Sequence, residues 1–211
     1  MREREPDLKH KQQSVRLIGM MLLPIYRSAV RQFDIRVRAV RPEQWALSTP
    51  DDGWDVHRLV RHVIAGQALV PAVLAGEPAQ GSFVHDSADL TGPELVEEWA
   101  RASTAAVAAL TAFDSWDQPI SVAGAAAPPA DYGWRLVNEL TVHAWDLARA
   151  INAADEFPND LLAHTLEQAK KSSDTWLASG RYAPSIPVPG CTDDLTELLA
   201  LTGRNRWWRR A

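Results

Sequence analysis

The chain has 211 residues, of which 46% are hydrophobic and 23% are charged, and its formal net charge is -5. This length and composition are typical of one globular domain whose core can form without disulfides. The acidic balance excludes a protein that binds nucleic acid or anionic membranes through its overall charge. The single cysteine, Cys191, rules out an internal disulfide and favours a cytoplasmic location.

Residues 1–19 are mostly polar and charged and show no clear apolar periodicity. We interpret residues 1–20 as an N-terminal extension that is disordered or comes from an over-called start. The apolar stretch at 17–25 is shorter than the ~20 residues that a membrane helix needs. The domain itself is expected at residues 21–203. A basic tail follows at 204–211, which we interpret as a disordered terminus, with a docking element as the alternative.

Apolar residues spaced three and four apart predict four main helices. The first stripe includes Tyr26 and Phe33 and ends before Pro42. Turn formers and aspartates at 48–55 are typical of the start of a second helix. Pro93 is typical of the first turn of a third helix. The predicted helices span 25–41, 55–75, 93–113 and 131–151, with a fifth at 159–179 and a short last helix at 193–201.

Strand patterns are nearly absent from the chain. Only residues 120–122 have the composition of a short strand, and no internal repeat is found. The sequence therefore predicts an all-α fold, a four-helix bundle with an additional C-terminal helix.

Glu139 and His143 lie four residues apart on the fourth predicted helix, so their side chains share one face. Carboxylate and neutral imidazole are both good zinc ligands. His62, on what we expect to be the apolar side of the second helix, is the candidate for a third ligand from a facing helix. Three protein ligands leave one coordination position for water or substrate, which is typical of a catalytic zinc.

Spacing alone leaves ordinary alternatives open. Glu and His four residues apart are common on solvated helix faces, and a buried histidine is often a hydrogen-bonded core residue. His57 is five residues from His62, roughly 140° around the helix, and is expected to face solvent. We interpret the remaining four histidines as non-ligands: His10, His57, His85 and His164.

Two segments resemble the signatures of one protein family. Residues 49–63, Thr-Pro-Asp-Asp-Gly-Trp-Asp-Val-His-Arg-Leu-Val-Arg-His-Val, are similar to its N-terminal signature. Residues 139–150, Glu-Leu-Thr-Val-His-Ala-Trp-Asp-Leu-Ala-Arg-Ala, are similar to its second. On these motifs the chain is identified as a member of the mycothiol-dependent maleylpyruvate isomerase family of actinobacteria, within the DinB-like metal-binding four-helix bundles. The resemblance extends over about 21–203. It includes the Pro-Val-Pro segment at 187–189 and the closing Leu-Leu-Ala-Leu-Thr-Gly-Arg run that starts at residue 198.

The resemblance implies a metal site and a thiol cofactor. The family's zinc ligands fall on His62, Glu139 and His143, and its cofactor is mycothiol, whose thiol the metal would activate. Trp145, Asp146 and Arg149 are interpreted as structural residues. A role for Asp146 behind the ligands is left open.

Two departures from the family bear on the reaction. The characterised isomerases carry an additional C-terminal domain, so this chain is expected to be a short form without it. The turn at 51–53 is Asp-Asp-Gly, where relatives often have a cysteine.

The sequence thus predicts a zinc-binding, mycothiol-dependent transferase or isomerase. A non-enzymatic metal-binding module or sensor is the alternative. The expected partners of the protein are a low-molecular-weight thiol and a small electrophilic substrate. Neither nucleic acid nor a membrane is expected as a partner, and a homodimer is compatible with either function.

Overall fold

The computed structural model of the chain describes residues 5–77, 90–178, 182–188, 190 and 193–210. These residues form a helical bundle with one small hairpin, which confirms the predicted all-α fold. Cys191 and His85 lie outside the described residues, as does the side chain of His10. The elements are α1 (Glu5–Val37), a 3-10 helix (Pro42–Gln44), α2 (Val56–Ala68), α3 (Val70–Ala75), α4 (Gly92–Ala112), β1 (Ile120–Val122), β2 (Ala125–Ala127), α5 (Pro129–Ile151), α6 (Asn159–Ala178) and α7 (Asp194–Leu201).

The first helix starts much earlier than predicted. It begins at Glu5 rather than near residue 25, so the interpretation of the first 20 residues as disordered is wrong from Glu5 onwards. Met20 and Met21 are exposed, whereas Leu22 is buried. An apolar stripe marks where a helix packs on the core, and it does not mark where the helix begins. The boundary of the domain at residue 21 stays a prediction.

The predicted helix at 55–75 is divided into α2 and α3 at Leu69. Pro71 accounts for the break, because proline lacks the amide hydrogen of a helix interior and its ring crowds the carbonyl four residues earlier. At the other end, Asp55 caps α2 by accepting a hydrogen bond of 2.7 Å from the Arg58 amide.

Among the described residues, Val56–Ala75 is the one stretch long and apolar enough to cross a membrane by length and composition. Such a test is also passed by core helices of soluble proteins. Here α2 packs on α4 and α5, and α3 packs on α4. Leu59, Val60 and Ile64 of α2 are buried in the core. The bundle therefore accounts for the buried part of this stretch, which is 39% of the apolar window.

The core lies between α1, α2, α4 and α5, with α1 lying most extensively against α5. Phe33 of α1 contacts Trp99 of α4, with 4.6 Å between the ring centroids. The Trp99 indole nitrogen donates a hydrogen bond of 3.0 Å to Asp34. The antiparallel hairpin of β1 and β2 pairs Ile120 with Ala127, which confirms the predicted strand at 120–122.

The C-terminal segment 204–210 is docked on the bundle, so its interpretation as a disordered terminus is wrong. Arg206 contacts Asp155 at 2.6 Å. Arg210 donates a hydrogen bond of 2.8 Å to the carbonyl of Ala150, near the end of α5. A cation at the C-terminal end of a helix is favoured by the helix dipole.

Gly133 allows α1 and α5 to approach closely, since a Cβ atom there would overlap the side chain of Leu22. We expect Gly133→Ala to lower the free energy of unfolding by about 1–3 kcal/mol through overpacking. Gly66→Ala is the matched control, because its Cβ would lie 3.9 Å from its nearest neighbour, Glu139 Oε2. In the control, the free energy of unfolding should stay unchanged or rise by up to about 1 kcal/mol, because alanine has a higher helix propensity than glycine. Urea denaturation measures both, and equal effects would contradict the close approach.

Candidate metal centre

The site lies where α2 faces α5, beside the turn at 49–55. The backbone amide of Thr49 donates to the carbonyl of Trp54 at 2.9 Å, and the amide of Trp54 donates to the carbonyl of Asp51 at 3.0 Å. Gly53 completes the turn with a φ of 73°, in the left-handed region that glycine adopts readily. This turn places the Trp54 indole and the Asp51 carboxylate at the site.

His62 of α2 and His143 of α5 are brought together, with 5.3 Å between their ring centroids. The Trp54 ring lies 4.8 Å from the ring of His62. It also stacks on His143, at 6.1 Å between centroids and 11° between planes. The indole therefore covers one side of the histidine pair.

His62 is exposed, whereas His143 is only 4% exposed. The expectation that His62 lies on the apolar side of α2 is therefore wrong, although its ring still reaches His143. The buried stripe of α2 is formed by its neighbours Leu59 and Val63. The pair consists of one histidine inside the bundle and one at its surface, so it can be reached from solvent.

Glu139 lies on the same side of α5 as the histidine pair. Its Oε2 atom would be 3.9 Å from a Cβ atom placed on Gly66. Gly66 follows His62 by four residues, so both lie on one face of α2. Glu139 therefore faces α2 about one turn along from His62.

The charge of this carboxylate acts on two buried tyrosines. Burial raises the pKa of Tyr132 to about 12, with Arg135 opposing the shift and Glu139 adding to it. Burial also raises the pKa of Tyr182, and the charge of Glu139 adds to that rise. Both phenols are therefore protonated at neutral pH.

His143 is oriented by Asp146, whose Oδ2 atom lies 3.1 Å from Nδ1 of the imidazole. Asp146 is completely buried. Such a carboxylate fixes the tautomer and the direction of the ring, and it directs Nε2 towards a metal. The structure thus provides the contact that a role of Asp146 behind the ligands requires.

The guanidinium of Arg204 neutralises this buried carboxylate. Arg204 Nη2 lies 3.2 Å from Asp146 Oδ2 and 2.6 Å from Asp51 Oδ2. Burial opposes the positive charge, but the two carboxylates more than offset it and hold the pKa of Arg204 above its usual value. Arg204 thereby joins the C-terminal segment to α5 and to the turn at 49–55.

A second set of donors shares His143. Donor atoms of Asp51, His143 and Asp146 all lie within 4.8 Å of one another, which makes these residues a candidate metal triad. Asp146 Oδ1 is buried and has no hydrogen-bond partner among the described residues. However, Arg204 already supplies a positive charge to both carboxylates of the triad. A metal ion bound there would have to displace this guanidinium or tolerate its repulsion.

The other described histidines have protein partners. His57 was expected to face solvent, but it is half-buried, and its Nε2 lies 2.8 Å from the carbonyl of Leu90. His164 stacks on Trp134, with 6.1 Å between the rings. That both residues are non-ligands stays a prediction.

The sequence assigned Asp51 only to the aspartates that precede the second helix, where negative charge suits the helix dipole, and it assigned no role to Arg204. The Leu-Thr-Gly-Arg run contributed to the resemblance, but the pattern does not state what its arginine contacts. Arg204 is 153 residues from Asp51 along the chain, and only the tertiary structure brings the two together.

We expect Arg204→Met to lower the free energy of unfolding by about 3–5 kcal/mol, because it leaves Asp146 as a buried charge without its cation. Arg206→Met is the matched control, since its pair with Asp155 is partly exposed and Arg149 also contacts Asp155. The control substitution should lower the free energy of unfolding by about 1 kcal/mol or less. Chemical denaturation compares the two variants. Similar losses would show that Arg204 only fastens the tail.

The family model described as mycothiol maleylpyruvate isomerase N-terminal domain matches residues 26–148, more than half of the chain. A comparison with curated proteins gives no match. Among solved structures, the crystal structure of the mycothiol-dependent maleylpyruvate isomerase is 20% identical, with a TM-score of 0.60 over 77% of this chain and 72% of that one. The crystal structure of a histidine-to-alanine mutant of the mycothiol-dependent maleylpyruvate isomerase is 16% identical, with a TM-score of 0.63. The match again covers 77% of this chain and 72% of that one. The structures share the fold, and the family match shows that the chain belongs to the mycothiol maleylpyruvate isomerase N-terminal domain family.

Proposed function

We propose that the protein binds a divalent metal, zinc, through His62, Glu139 and His143 and uses it to activate the thiol of mycothiol. The reaction would be a transfer to, or an isomerisation of, a small electrophilic substrate. One observation carries this proposal: the rings of His62 and His143 lie 5.3 Å apart between centroids, and the Asp146 carboxylate contacts Nδ1 of His143. Family membership supports mycothiol as the thiol.

The residues present fit a metal of this kind. Two imidazoles and one carboxylate are a common donor set of catalytic zinc sites, and the carboxylate behind His143 is the usual support for a ligating histidine. A zinc ion held there would supply a Lewis-acidic position at which the pKa of a bound thiol is lowered.

The surrounding side chains have separate roles in this proposal. The exposed ring of His62 provides access for a thiol and an electrophile from solvent. The Trp54 indole excludes water from the side of the histidine pair that it covers. Tyr132 is protonated at neutral pH and can donate a hydrogen bond near Glu139.

A non-enzymatic metal-binding module is the second candidate function. The observation that favours it is the triad of Asp51, His143 and Asp146, two of whose members are buried. Ligands enclosed in this way are typical of a structural ion that no substrate reaches. A cytoplasmic location and a homodimer belong to either proposal and stay predictions.

Metal analysis of purified variants distinguishes the two donor sets. We expect His62→Ala and His143→Ala to abolish stoichiometric zinc, since the two ligands that remain bind the ion far more weakly. Glu139→Gln should weaken binding because a neutral amide is a poorer ligand than a carboxylate. Asp51→Asn is the control, and its zinc affinity in a chelator competition should stay within about tenfold of the wild type. Loss of zinc in Asp51→Asn with retention in His62→Ala would assign the metal to the triad.

The reaction type is tested with zinc-loaded protein, mycothiol and a panel of electrophiles that includes maleylpyruvate. Consumption of thiol with formation of an adduct identifies a transferase. Conversion of cis to trans product without net loss of thiol identifies an isomerase, and a chelator should abolish either activity. If the loaded protein neither binds mycothiol nor turns over any substrate, the binding module is the better description.

A further inference from the structure

A cavity of about 460 Å³ lies between the C-terminal end of α5 and the C-terminal segment. Its volume falls within the range of roughly 300–1,000 Å³ that is usual for small-molecule sites. Among the described residues, none of the candidate metal ligands lines it, and Asn152 at its wall lies roughly 13 Å beyond His143 along the helix axis. The cavity is therefore separate from the candidate metal centre. Its lining includes Arg149, Asn152, Trp208, Arg209 and Arg210.

Three arginines line this cavity, and no acidic residue in the described part of the chain does. This is a local excess of positive charge in a chain whose net charge is -5. A second cavity, of about 350 Å³, shares Arg149 and Arg209 and adds Arg206. The acid that lines this second cavity, Asp193, already accepts hydrogen bonds of 2.8 and 2.6 Å from the amide and hydroxyl of Thr196. The arginines therefore favour a bound anion.

Two of the three arginines are held in place by the fold. Arg149 Nη2 donates a hydrogen bond of 2.7 Å to the carbonyl of Trp208. Arg210 Nη1 donates one of 2.8 Å to the carbonyl of Ala150, where it offsets the negative end of the α5 dipole. A guanidinium carries five N–H donors, so each of these contacts leaves donors over. Both side chains can therefore bind a ligand without leaving their positions.

The third arginine, Arg209, is available to a ligand. It is exposed, and it makes no hydrogen bond or ion pair with the protein wherever the structure is described. The nearby carboxylate of Asp155 serves two other cations, Arg206 at 2.6 Å and Arg149 at 3.5 Å. The protein thus provides fewer negative charges at this end of α5 than it has arginines there.

A phosphate monoester matches these donors. It carries nearly two negative charges at neutral pH and has three terminal oxygens that accept hydrogen bonds. Guanidinium groups bind such oxygens through their fixed fork of donors. A carboxylate offers one charge and two oxygens, which is a poorer match to three cations. The cavity is also larger than a phosphate ion, so it can hold part of the molecule that carries the phosphate.

We propose that this cavity binds the phosphate group of a phosphorylated ligand, with Arg149 and Arg210 as fixed donors and Arg209 as the donor that closes on it. The bound phosphate joins the C-terminal segment to the end of α5, because its oxygens accept from arginines of both. This inference is independent of the proposed function, since none of the three arginines belongs to the candidate metal ligands.

Calorimetry of the full-length protein with inorganic phosphate and with glycerol 3-phosphate, at low ionic strength, tests this site. We expect saturable binding to the wild type. Arg209→Gln should weaken it about tenfold, because one charge-assisted contact is lost. The fold should persist in this variant, since Arg209 has no contact of this kind with the protein. Arg31→Gln is the matched control, because Arg31 is also exposed but lies on α1, and its affinity should stay within about twofold of the wild type.

Several results would overturn the proposal. One is that neither compound binds, and another is that Arg209→Gln and Arg31→Gln lose affinity equally, which would indicate an effect of overall charge. Binding that is lost in His62→Ala but kept in Arg209→Gln would place the phosphate at the metal centre instead. Succinate, which has two charges but no phosphate, should bind more weakly than glycerol 3-phosphate. Equal binding of the two would contradict a phosphate site.

Cosedimentation with vesicles of phosphatidylcholine and phosphatidic acid identifies the source of the phosphate group. Binding of glycerol 3-phosphate without binding to the vesicles supports a soluble phosphorylated compound. Vesicle binding that Arg209→Gln weakens supports a lipid headgroup in the same cavity. Vesicle binding that Arg209→Gln leaves unchanged, with no binding of the soluble compounds, would overturn the assignment of the cavity.

Discussion

The buried guanidinium of Arg204 is the contact on which the arrangement of the site depends. It reaches Asp146, which orients His143, and Asp51, which belongs to the turn that carries Trp54. A buried carboxylate without a cation would be costly, and a buried cation without carboxylates equally so. The three charges therefore stabilise one another only when α5, the turn and the C-terminal segment are all in place. This mutual dependence fixes the direction of the His143 ring before any metal binds.

The helices were largely predictable because each packs one apolar face on a common core. The predicted helices at 93–113, 131–151 and 159–179 agree with the observed ones to within two residues. Two errors have identifiable causes. The start of α1 was missed because residues that do not face the core carry no periodic stripe. The break at Leu69 was missed because the stripe continues on both sides of Pro71, although the proline itself was a visible signal.

The candidate site was predictable where its residues share a helix or a motif. Glu139 and His143 are four residues apart on α5, and their spacing alone placed them on one face. His62 was nominated from a different helix, and the structure brings its ring to His143, although on an exposed edge. Asp51 and Arg204 were beyond reach, because no periodicity relates a turn near the start of the domain to a segment near its end. A metal triad that includes Asp51 could be recognised only from coordinates.

The separation of 153 residues between Asp51 and Arg204 also bears on how the protein folds. Closing a loop of this length costs more chain entropy than forming the contacts within and between neighbouring helices. The contacts among α1, α2, α4 and α5 do not involve the C-terminal segment, whereas the charge network closes only when that segment docks. Until it docks, Asp146 lacks its cation and the ring of His143 is less restrained. Docking of the C-terminal segment thus separates formation of the core from the final orientation of the His143 ring.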